Sequence, residues 1–309
     1  MKLISIVTPC YNEEENVEIL HEQIIEAMAE MPQYNFEHIF IDNASTDNTI
    51  PLLRKIASKD KHVKVILNTR NFGHIRSPYY GMLQAKGDVV VCMSSDLQDP
   101  PSMILDFIKK WEEGFKVVMG VKTSSKESKL VYTFRTFYYK VLSKLSNVQL
   151  VENFTGFGCY DHQVIEILRQ MNDPYPYFRG LIADIGFPAA KIEFTQPKRK
   201  NGITKNNFFT LYDMAMLGFT NNTKVPLRMA TMLGFFSAVV SFLIGLFYLV
   251  YKLVNWQNFQ LGSAPIVIGL FFFGAIQLLF LGIVGEYIGA IYTQVLHRPL
   301  VIEKERINF

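Results

Sequence analysis

The chain has little cysteine, and its few cysteines are poorly placed for cross-linking or zinc binding. There are three in 309 residues, at Cys10, Cys92 and Cys159. Their number is odd, they lie far apart and none forms a C-x-x-C pair, so the sequence supports neither a disulfide framework nor a zinc site. We expect all three to be small, buried side chains.

The chain also lacks a strong charge of either sign, and it lacks the glycine-rich loops that bind phosphates. Its formal net charge is +3, with 31 Lys and Arg against 28 Asp and Glu, which argues against a nucleic-acid-binding protein. No G-x-x-x-x-G-K loop occurs, and Gly156-Phe157-Gly158 lacks the spacing of a dinucleotide fingerprint. A metal ion and basic side chains would therefore have to hold any phosphate.

Long apolar runs are confined to the last third of the chain. Near the amino terminus, the run at residues 3–7 is too short for a signal peptide. Residues 229–251 are an uncharged run of 23 residues. As a helix it would be roughly 34 Å long, against a hydrocarbon core of about 30 Å. A second run covers residues 264–285. Two buried core helices are the alternative, but length and lack of charge favour two membrane-spanning helices.

Basic residues flank the two apolar runs instead of lying between them. The intervening loop, residues 252–263, carries one lysine. The outer flanks carry Lys224, Arg228, His297, Arg298, Lys304 and Arg306. By the positive-inside rule, both termini and the large amino-terminal domain are expected on the cytoplasmic face of the plasma (inner) membrane.

The first 120 residues alternate strand-like and helix-like patterns. Strand-like runs occur at residues 3–8, 37–42, 63–67, 88–93 and 116–120. This alternation predicts an α/β domain with a Rossmann-like, mostly parallel sheet. Ligands of such sheets bind beyond the carboxyl ends of the strands. Four polar clusters occupy that position: Tyr11-Asn12-Glu13, Asp42-Asn43, Asn71-Phe72-Gly73 and Asp96-Leu97-Gln98-Asp99.

The cluster after the fourth strand has the composition of a metal site. Asp96 and Gln98 share one face of an extended segment, because alternate residues do so, and Pro100-Pro101 then opens a helix. Hard oxygen ligands of this kind suit Mg²⁺ or Mn²⁺. An ordinary turn or helix cap is the alternative, and a motif of this kind standing alone would favour it.

A second candidate membrane contact lies at about residues 128–146. From Lys129 to Lys140, helical spacing gives an aromatic face with basic residues beside it, which is typical of a helix in the lipid headgroup layer. Arg135 is placed there to meet a lipid phosphate. The alternative is a core helix whose lysines face water.

Eight motifs in order give the chain a family resemblance over nearly its whole length. They are P-x-Y-N-E-E at 9–14, D-N-A-S-T-D at 42–47, R-N-F-G at 70–73, D-L-Q-D-P-P at 96–101, R-G-L with G-F at 179–187, R-x-x-G-x-T-K at 199–205, P-L-R at 226–228 and G-E-Y-I-G at 285–289. Together they resemble family 2 glycosyltransferases of the GT-A fold. Within that family they resemble the membrane-anchored polyprenyl-phosphate glycosyltransferases, which include bactoprenol glucosyltransferases and dolichol-phosphate mannose synthases.

The resemblance implies roles for residues that match the motifs. Nucleotide binding is implied for Pro9, Tyr11, Glu13, Asp42, Asn43, Asn71 and Gly73, and metal binding for Asp96 and Gln98. Catalytic roles are implied for Asp96, Asp99, Arg135, Arg199 and Lys205. Arg199 and Lys205 match a loop that closes over phosphates, and an arginine can bind a phosphate through two parallel hydrogen bonds.

The resemblance also implies an activity and a domain plan. A nucleotide sugar, expected to be a UDP-sugar, would donate its sugar with inversion to a polyprenyl phosphate such as undecaprenyl phosphate, in cell-envelope glycan modification. The expected units are a GT-A domain at 1–200, a juxtamembrane segment at 201–226, two spanning helices at 227–292 and a cytoplasmic tail at 293–309. Homo-oligomers are expected.

Three positions depart from the family motifs. Asn43-Ala44 replaces Asp-Gly, Ser94 replaces a possible metal-binding aspartate, and Gly156 stands where the family has a candidate base. Asp161 and Asp184 are candidate replacements for that base. The departures leave two alternatives open. One is a membrane glycosyltransferase with another acceptor, such as diacylglycerol or a polysaccharide, although a Q-x-x-R-W motif is absent. The other is an attenuated, nucleotide-sugar-binding scaffold.

Overall fold

The computed structural model describes residues 1–123, 151–197, 216–218, 220, 223–254 and 263–309. The predicted interfacial helix, with Arg135, lies outside these residues. So do Arg199, Lys205 and most of the predicted juxtamembrane segment.

Strands and helices alternate through most of the described chain, as the sequence predicts. In chain order they are β1 (Leu3–Cys10), α1 (Val17–Ala29), β2 (Asn35–Asp42), α2 (Thr49–Lys59), β3 (Val63–Asn68), α3 (Gly73–Gln84), β4 (Val89–Cys92), α4 (Met103–Glu112), β5 (Val117–Lys122), β6 (Phe154–Asp161), α5 (His162–Met171), α6 (Phe178–Ile185), β7 (Ala189–Phe194), α7 (Val225–Val254), α8 (Ser263–Val295) and β8 (Glu303–Ile307).

The strands form one eight-stranded sheet in the order β7-β5-β6-β4-β1-β2-β3-β8. Strands β4, β1, β2 and β3 are parallel neighbours, and β5 is parallel to β7. Strand β6 runs antiparallel between β4 and β5, and β8 runs antiparallel to β3. The predicted α/β class with a mostly parallel sheet is confirmed.

Helices cover both faces of this sheet and divide the core into two clusters. One cluster contains apolar side chains of α1, α2 and α4, such as Leu20, Leu53 and Phe107. The other contains side chains of α3, α5 and α6, such as Tyr79 and Leu168. A sheet buried on both faces explains why its parallel strands are continuous apolar runs in the sequence.

A pair of histidines is buried between α1 and the sheet. His38 on β2 is fully buried; its Nδ1 lies 3.1 Å from His21 Nδ1 and its Nε2 lies 3.0 Å from Thr8 Oγ1. Burial lowers the pKa of both His21 and His38. For His38 the neighbouring His21 lowers the pKa further, whereas Asp60, 3.4 Å from His21 Nε2, acts to raise that of His21.

We expect acidification to destabilise the domain through this pair. An unfolded histidine binds a proton near pH 6.5, whereas the buried pair resists protonation. Stability should therefore be full above about pH 6.5 and fall as the pH drops below it. Melting temperatures of the whole chain in one detergent, taken from pH 7.5 to 5.5, measure this loss. The loss should shrink in His38→Gln; an unchanged loss in that variant would contradict the assignment.

Helices α7 and α8 are long, apolar and exposed. Their candidate spans, Val225–Val254 and Gly269–Val295, have mean hydropathies of 2.3 and 1.8, and none of the most apolar part of either span is buried. Large apolar side chains such as Phe235, Phe271 and Leu278 are more than two-thirds exposed. Both helices are long and apolar enough to cross a membrane. Helix α8 continues ten residues past the predicted end of its span at residue 285.

The chain beyond α8 returns to the sheet. Residues 303–307, expected as part of a tail, form β8 at the edge of the sheet beside β3. Arg54 Nη1 and Nη2 donate to the two oxygens of the Glu305 carboxylate, at 2.7 and 2.5 Å. Asn308 Nδ2 donates to the carbonyl oxygens of Ala57 and Val63. Strand β8 therefore covers an otherwise open sheet edge with a charged strand.

Candidate active site

The carboxyl ends of four parallel strands meet at one edge of the sheet. Cys10 at the end of β1 pairs with Asp42 at the end of β2, and Asp42 pairs with Leu67 in β3. Val7 pairs with Cys92 at the end of β4. The four polar clusters singled out in the sequence therefore follow strands that end side by side.

The loops after β1 and β2 are bonded to each other. Asn12, in a left-handed conformation at φ 54°, donates its backbone N–H to Ser45 Oγ (2.8 Å) and accepts the Thr46 N–H through Oδ1 (2.7 Å). Asp42 is fully buried and accepts the backbone N–H and the hydroxyl of Ser45. Burial raises the pKa of Asp42, and the Ser45 bonds only partly offset the rise.

Other predicted nucleotide-binding residues lie in these loops. Glu13 is buried in the loop before α1; its Oε2 accepts Asn16 Nδ2 (2.6 Å) and its N–H donates to Thr49 Oγ1 (2.9 Å). Tyr11 is half-buried. Gly73 opens α3 at φ +88°, a conformation that disfavours residues with a Cβ.

Asn43 fixes the loop between β3 and α3. Its Nδ2 donates to Asn71 Oδ1 (2.8 Å) and to the Gly73 carbonyl (3.2 Å). Its Oδ1 accepts the Phe72 N–H (2.8 Å) and Asn68 Nδ2 (3.2 Å). The amide is 7% exposed and makes four bonds to this loop. The departure from the family motif at position 43 therefore has a structural consequence, because a carboxylate could accept two of these bonds but donate none.

Asn43→Asp is expected to lower the free energy of unfolding by about 1–2 kcal/mol, because it removes two donated bonds and leaves buried acceptors facing a carboxylate. Thermal melting at pH 7.5 measures the loss. Asn43→Ala, which removes all four bonds, should be at least as unstable. If Asn43→Asp melts like the unsubstituted protein, the amide does not hold the loop.

A serine bridges the two carboxylates after β4. Ser94 Oγ lies 2.8 Å from Asp96 Oδ1 and 2.7 Å from Asp99 Oδ2, and Asp99 Oδ2 also accepts the Ser94 N–H (2.9 Å). Asp99 is buried, which raises its pKa. Leu97 adopts a left-handed conformation at φ 59°, and Asp96 Oδ1 accepts the Gln98 N–H. Asp99 thus fixes the start of the loop through Ser94, and the same loop carries Asp96 and Gln98.

The residues of this loop fit a hard divalent cation. Asp96 bonds described residues through Oδ1, so Oδ2 could serve as a ligand. The Gln98 amide oxygen could serve as a second ligand, since the bond of this side chain to the Pro197 carbonyl is donated by Nε2. Within the described residues, no three His, Cys, Asp or Glu side chains form a metal-binding group. One carboxylate plus phosphate oxygens of a substrate is the usual setting for Mg²⁺.

A cleft of about 350 Å³ opens beside this loop. Four of the residues with a predicted site role line it: Pro9, Asp96, Gln98 and Asp99. Residues that the motifs did not assign also line it, among them His74, Tyr79, Lys122, Phe157, Tyr177 and Arg179. Lys122 ends β5, and its charge opposes the rise in the Asp99 pKa. The position of Lys122 at the end of a strand is the sequence signal that could have identified this residue.

A second cavity of about 540 Å³ adjoins the cleft and follows α8. Leu217 lines both cavities. On α8 the second cavity is lined by small residues, Gly282, Gly285, Gly289 and Ala290, with Glu286 and Thr293. The cleft therefore lies next to a cavity that is lined by the carboxy-terminal half of α8.

The structure does not bring the candidate replacement bases into the cleft. Asp161 pairs with Val89 at the start of β4, which is the opposite end of the sheet from the site. There it accepts Trp111 Nε1 (2.8 Å) and Lys116 Nζ (3.0 Å), bonds that lower its pKa, and it caps α5. Asp184 is exposed on α6 and does not line the cleft. Gly156 lines the cleft at φ +104°, so an aspartate there would be strained.

Comparison with known proteins identifies the family. The model of glycosyl transferase family 2 matches residues 5–167, which include β1 to β6 and the loops described above. The chain belongs to glycosyl transferase family 2. Membership of this family, together with the observed sheet, confirms the predicted GT-A class and the predicted glycosyltransferase activity.

Relatives of this glycosyltransferase match almost its whole length. An uncharacterized glycosyltransferase, YkcC, of Bacillus subtilis (strain 168) is 34% identical over 299 residues, which cover 96% of this chain and 92% of the relative. A bactoprenol glucosyl transferase of Shigella phage SfV is 32% identical over 302 residues, covering 97% and 98%. Among solved structures, glucosyl-3-phosphoglycerate synthase from Mycobacterium tuberculosis aligns with a TM-score of 0.47 at 19% identity, over 71% of this chain and 76% of that chain.

Proposed function

We propose that this glycosyltransferase moves a sugar from a nucleotide sugar, expected to be a UDP-sugar, to a polyprenyl phosphate such as undecaprenyl phosphate. The observation that carries the proposal is the match to a bactoprenol glucosyl transferase over 97% of this chain, which includes the two apolar helices as well as the catalytic domain. The cavity along α8, which shares Leu217 with the cleft, is a suitable place for a lipid acceptor to approach.

The acceptor needs little help from a protein base. The second pKa of a phosphate monoester is about 6, so near neutral pH its oxygen is already an anion. The low demand for a base is consistent with the structure, in which the position of the family's candidate base is Gly156 and the candidate replacement Asp161 lies at the far end of the sheet. The protein's task is to bring two anions together, and Lys122 and Arg179 place positive charge in the cleft. Attack on the side opposite the nucleotide would invert the anomeric carbon.

Mg²⁺ or Mn²⁺ would be held by Asp96 and Gln98, with the donor's phosphates as further ligands. When bound, the cation supplies positive charge that stabilises the departing nucleotide diphosphate. Asp99 and Ser94 orient the loop that carries both ligands. Arg135, Arg199 and Lys205 remain predicted phosphate ligands from the segments outside the described residues.

The proposed location is the cytoplasmic face of the plasma membrane, with α7 and α8 as a spanning hairpin. Strand β8 follows the hairpin yet pairs with β3, which precedes it, so both ends of the hairpin must lie on the same side of the bilayer. Lys224 and Arg228 at the start of α7, with Arg298 after α8, favour the cytoplasmic side.

A donor screen tests this function. The whole chain, in nanodiscs with Mn²⁺ and undecaprenyl phosphate, is offered radiolabelled UDP-glucose, UDP-GlcNAc, UDP-galactose and GDP-mannose. We expect label from at least one donor in the organic phase, with its anomeric configuration inverted. Transfer to diacylglycerol in place of the phosphate lipid would indicate another acceptor. Tight nucleotide binding without turnover of any donor would indicate a scaffold.

A further inference from the structure

The chain that leaves α8 contacts the loop between β3 and α3 before it forms β8. The Ile302 carbonyl accepts both the backbone N–H (2.9 Å) and the hydroxyl (3.1 Å) of Thr69. The Pro299 carbonyl accepts a bond from Arg76 Nη2. Residues 299–302, here called the strap, therefore lie against the outer side of the loop Asn68–Gly73.

The strap is itself fixed to the domain. Val301 is 5% exposed, and Leu300 packs against the core cluster beneath α3. Beyond the strap, the paired Arg54 and Glu305 anchor β8 to α2. Only residues 296–298 separate the strap from the end of α8 at Val295. Helix α8, the strap and the loop therefore form one short covalent and hydrogen-bonded path.

The inner side of the same loop is held by Asn43, through its bonds to Asn68, Asn71, Phe72 and Gly73. Phe72 is buried, and its ring lies 4.1 Å from the Arg70 guanidinium and 5.4 Å from that of Arg76. Arg76 thus contacts both the strap and the loop. It does not line the cleft.

We propose that the strap, residues 299–302, is a positioning element for the donor site: through Thr69 and Arg76 it holds Asn71 and Gly73 in the shape that receives the nucleotide. This rests on the proposed function, because it takes the loop to be part of the nucleotide site. It makes the donor site depend on a segment that lies about 230 residues further along the chain and directly follows the membrane hairpin.

A purely structural role is the competing explanation, because β8 also protects the exposed edge of β3. The two arginines that contact the carboxy-terminal segment separate the explanations. Arg76→Gln breaks the contact with the strap beside the loop. Arg54→Gln is the matched control, because it removes an arginine contact to the same segment at Glu305, away from the loop. Both variants lose one positive charge.

Binding of UDP and of GDP to the full-length protein in detergent with Mn²⁺ is measured by calorimetry. We expect Arg76→Gln to weaken binding of the cognate nucleotide about five- to tenfold, as the partial loss of a charged hydrogen bond would. Arg54→Gln should stay within about twofold, even if both variants melt at lower temperature. The difference should persist in 0.5 M NaCl, where a simple charge effect is screened.

Amide hydrogen exchange of the peptide that covers residues 69–74 gives an independent measurement. Exchange should be faster in Arg76→Gln, because the N–H groups of Phe72 and Gly73 are bonded to Asn43 Oδ1 and Asn71 Oδ1 when the loop is in place, and unchanged in Arg54→Gln. Equal nucleotide binding in the two variants would overturn the strap's role. If the unsubstituted protein binds neither nucleotide, the proposed function fails, whereas unchanged exchange in Arg76→Gln would count against the strap alone.

Discussion

Asp96→Ala is expected to lower the rate of sugar transfer about a thousandfold or more, since the loss of a metal's charge stabilisation costs several kcal/mol and each 1.4 kcal/mol is tenfold in rate. Asp96 lines the cleft and, among the described residues, bonds Ser94 and the Gln98 N–H through Oδ1, so Oδ2 is the oxygen proposed to bind the cation. Label recovered in the organic phase per unit time measures the effect.

Asp96→Asn separates the charge from the shape of the loop. An asparagine can accept the same two bonds through Oδ1, so the loop should keep its conformation while the cation ligand is weakened. We expect this variant to melt like the unsubstituted protein and to lose about a hundredfold or more in transfer rate. Full activity of Asp96→Asn, or full activity in the presence of EDTA, would show that the metal assignment is wrong.

Asp99→Ala is expected to lower transfer about a hundredfold, because misplacing a catalytic group by roughly 1 Å has an effect of that size. Asp99 Oδ2 accepts the N–H of Ser94, and the single hydroxyl proton of Ser94 is shared between Asp99 Oδ2 and Asp96 Oδ1, which lie 2.7 and 2.8 Å from Ser94 Oγ. Without this carboxylate, Ser94 loses its two hydrogen bonds to Asp99, and we expect Asp96 and Gln98 to shift relative to the cleft.

Asp99→Asn distinguishes a positioning role from a role of the charge. The Oδ1 of an asparagine can accept both Ser94 bonds, so a positioning role predicts that Asp99→Asn keeps most of the activity that Asp99→Ala loses. The pH dependence of kcat should then be the same in Asp99→Asn and in the unsubstituted protein. Equal losses in both variants would instead assign the charge of Asp99 to the reaction, as the family resemblance implies.

The position of the site could be predicted from the sequence because it follows from topology. The apolar runs at β1 to β4 predict four neighbouring parallel strands, and the carboxyl ends of such strands lie at the same edge of the sheet. The clusters at Tyr11, Asp42, Asn71 and Asp96 therefore had to approach one another. Helix α3 begins at Gly73, in the loop that carries Asn71, and contains Pro78 in its interior.

The residues that complete the site could not be predicted, because their roles depend on contacts between distant segments. The end of β5 marks Lys122 as a candidate, but its effect on Asp99 depends on the order of the sheet, in which antiparallel β6 separates β4 from β5. Arg179 belongs to the R-G-L motif, but only the structure puts it in the cleft. Asn43 looked like a weakened nucleotide ligand, but its bonds to the β3–α3 loop appear only in three dimensions. Likewise, only the structure shows that Ser94 lies between the carboxylates of Asp96 and Asp99.

Strand β8 was absent from the sequence prediction for a different reason. Glu303–Ile307 has charged residues at four of five positions, so it lacks the apolar pattern that marks a strand. Its pairing depends instead on backbone bonds to the edge strand β3 and on side-chain bonds such as Arg54 to Glu305. An edge strand needs little burial, and its composition is therefore a poor guide to its structure.

The central claim is that Asp96, with a divalent cation, supports sugar transfer to a phosphate lipid. The most direct test compares unsubstituted protein and Asp96→Asn in nanodiscs that contain undecaprenyl phosphate, Mn²⁺ and the donor selected by the screen, with transfer of label to the organic phase as the readout. The account predicts labelled lipid from the unsubstituted protein and about a hundredfold less from the variant. Equal labelling by the two proteins, or label released only as free sugar in water, would contradict it.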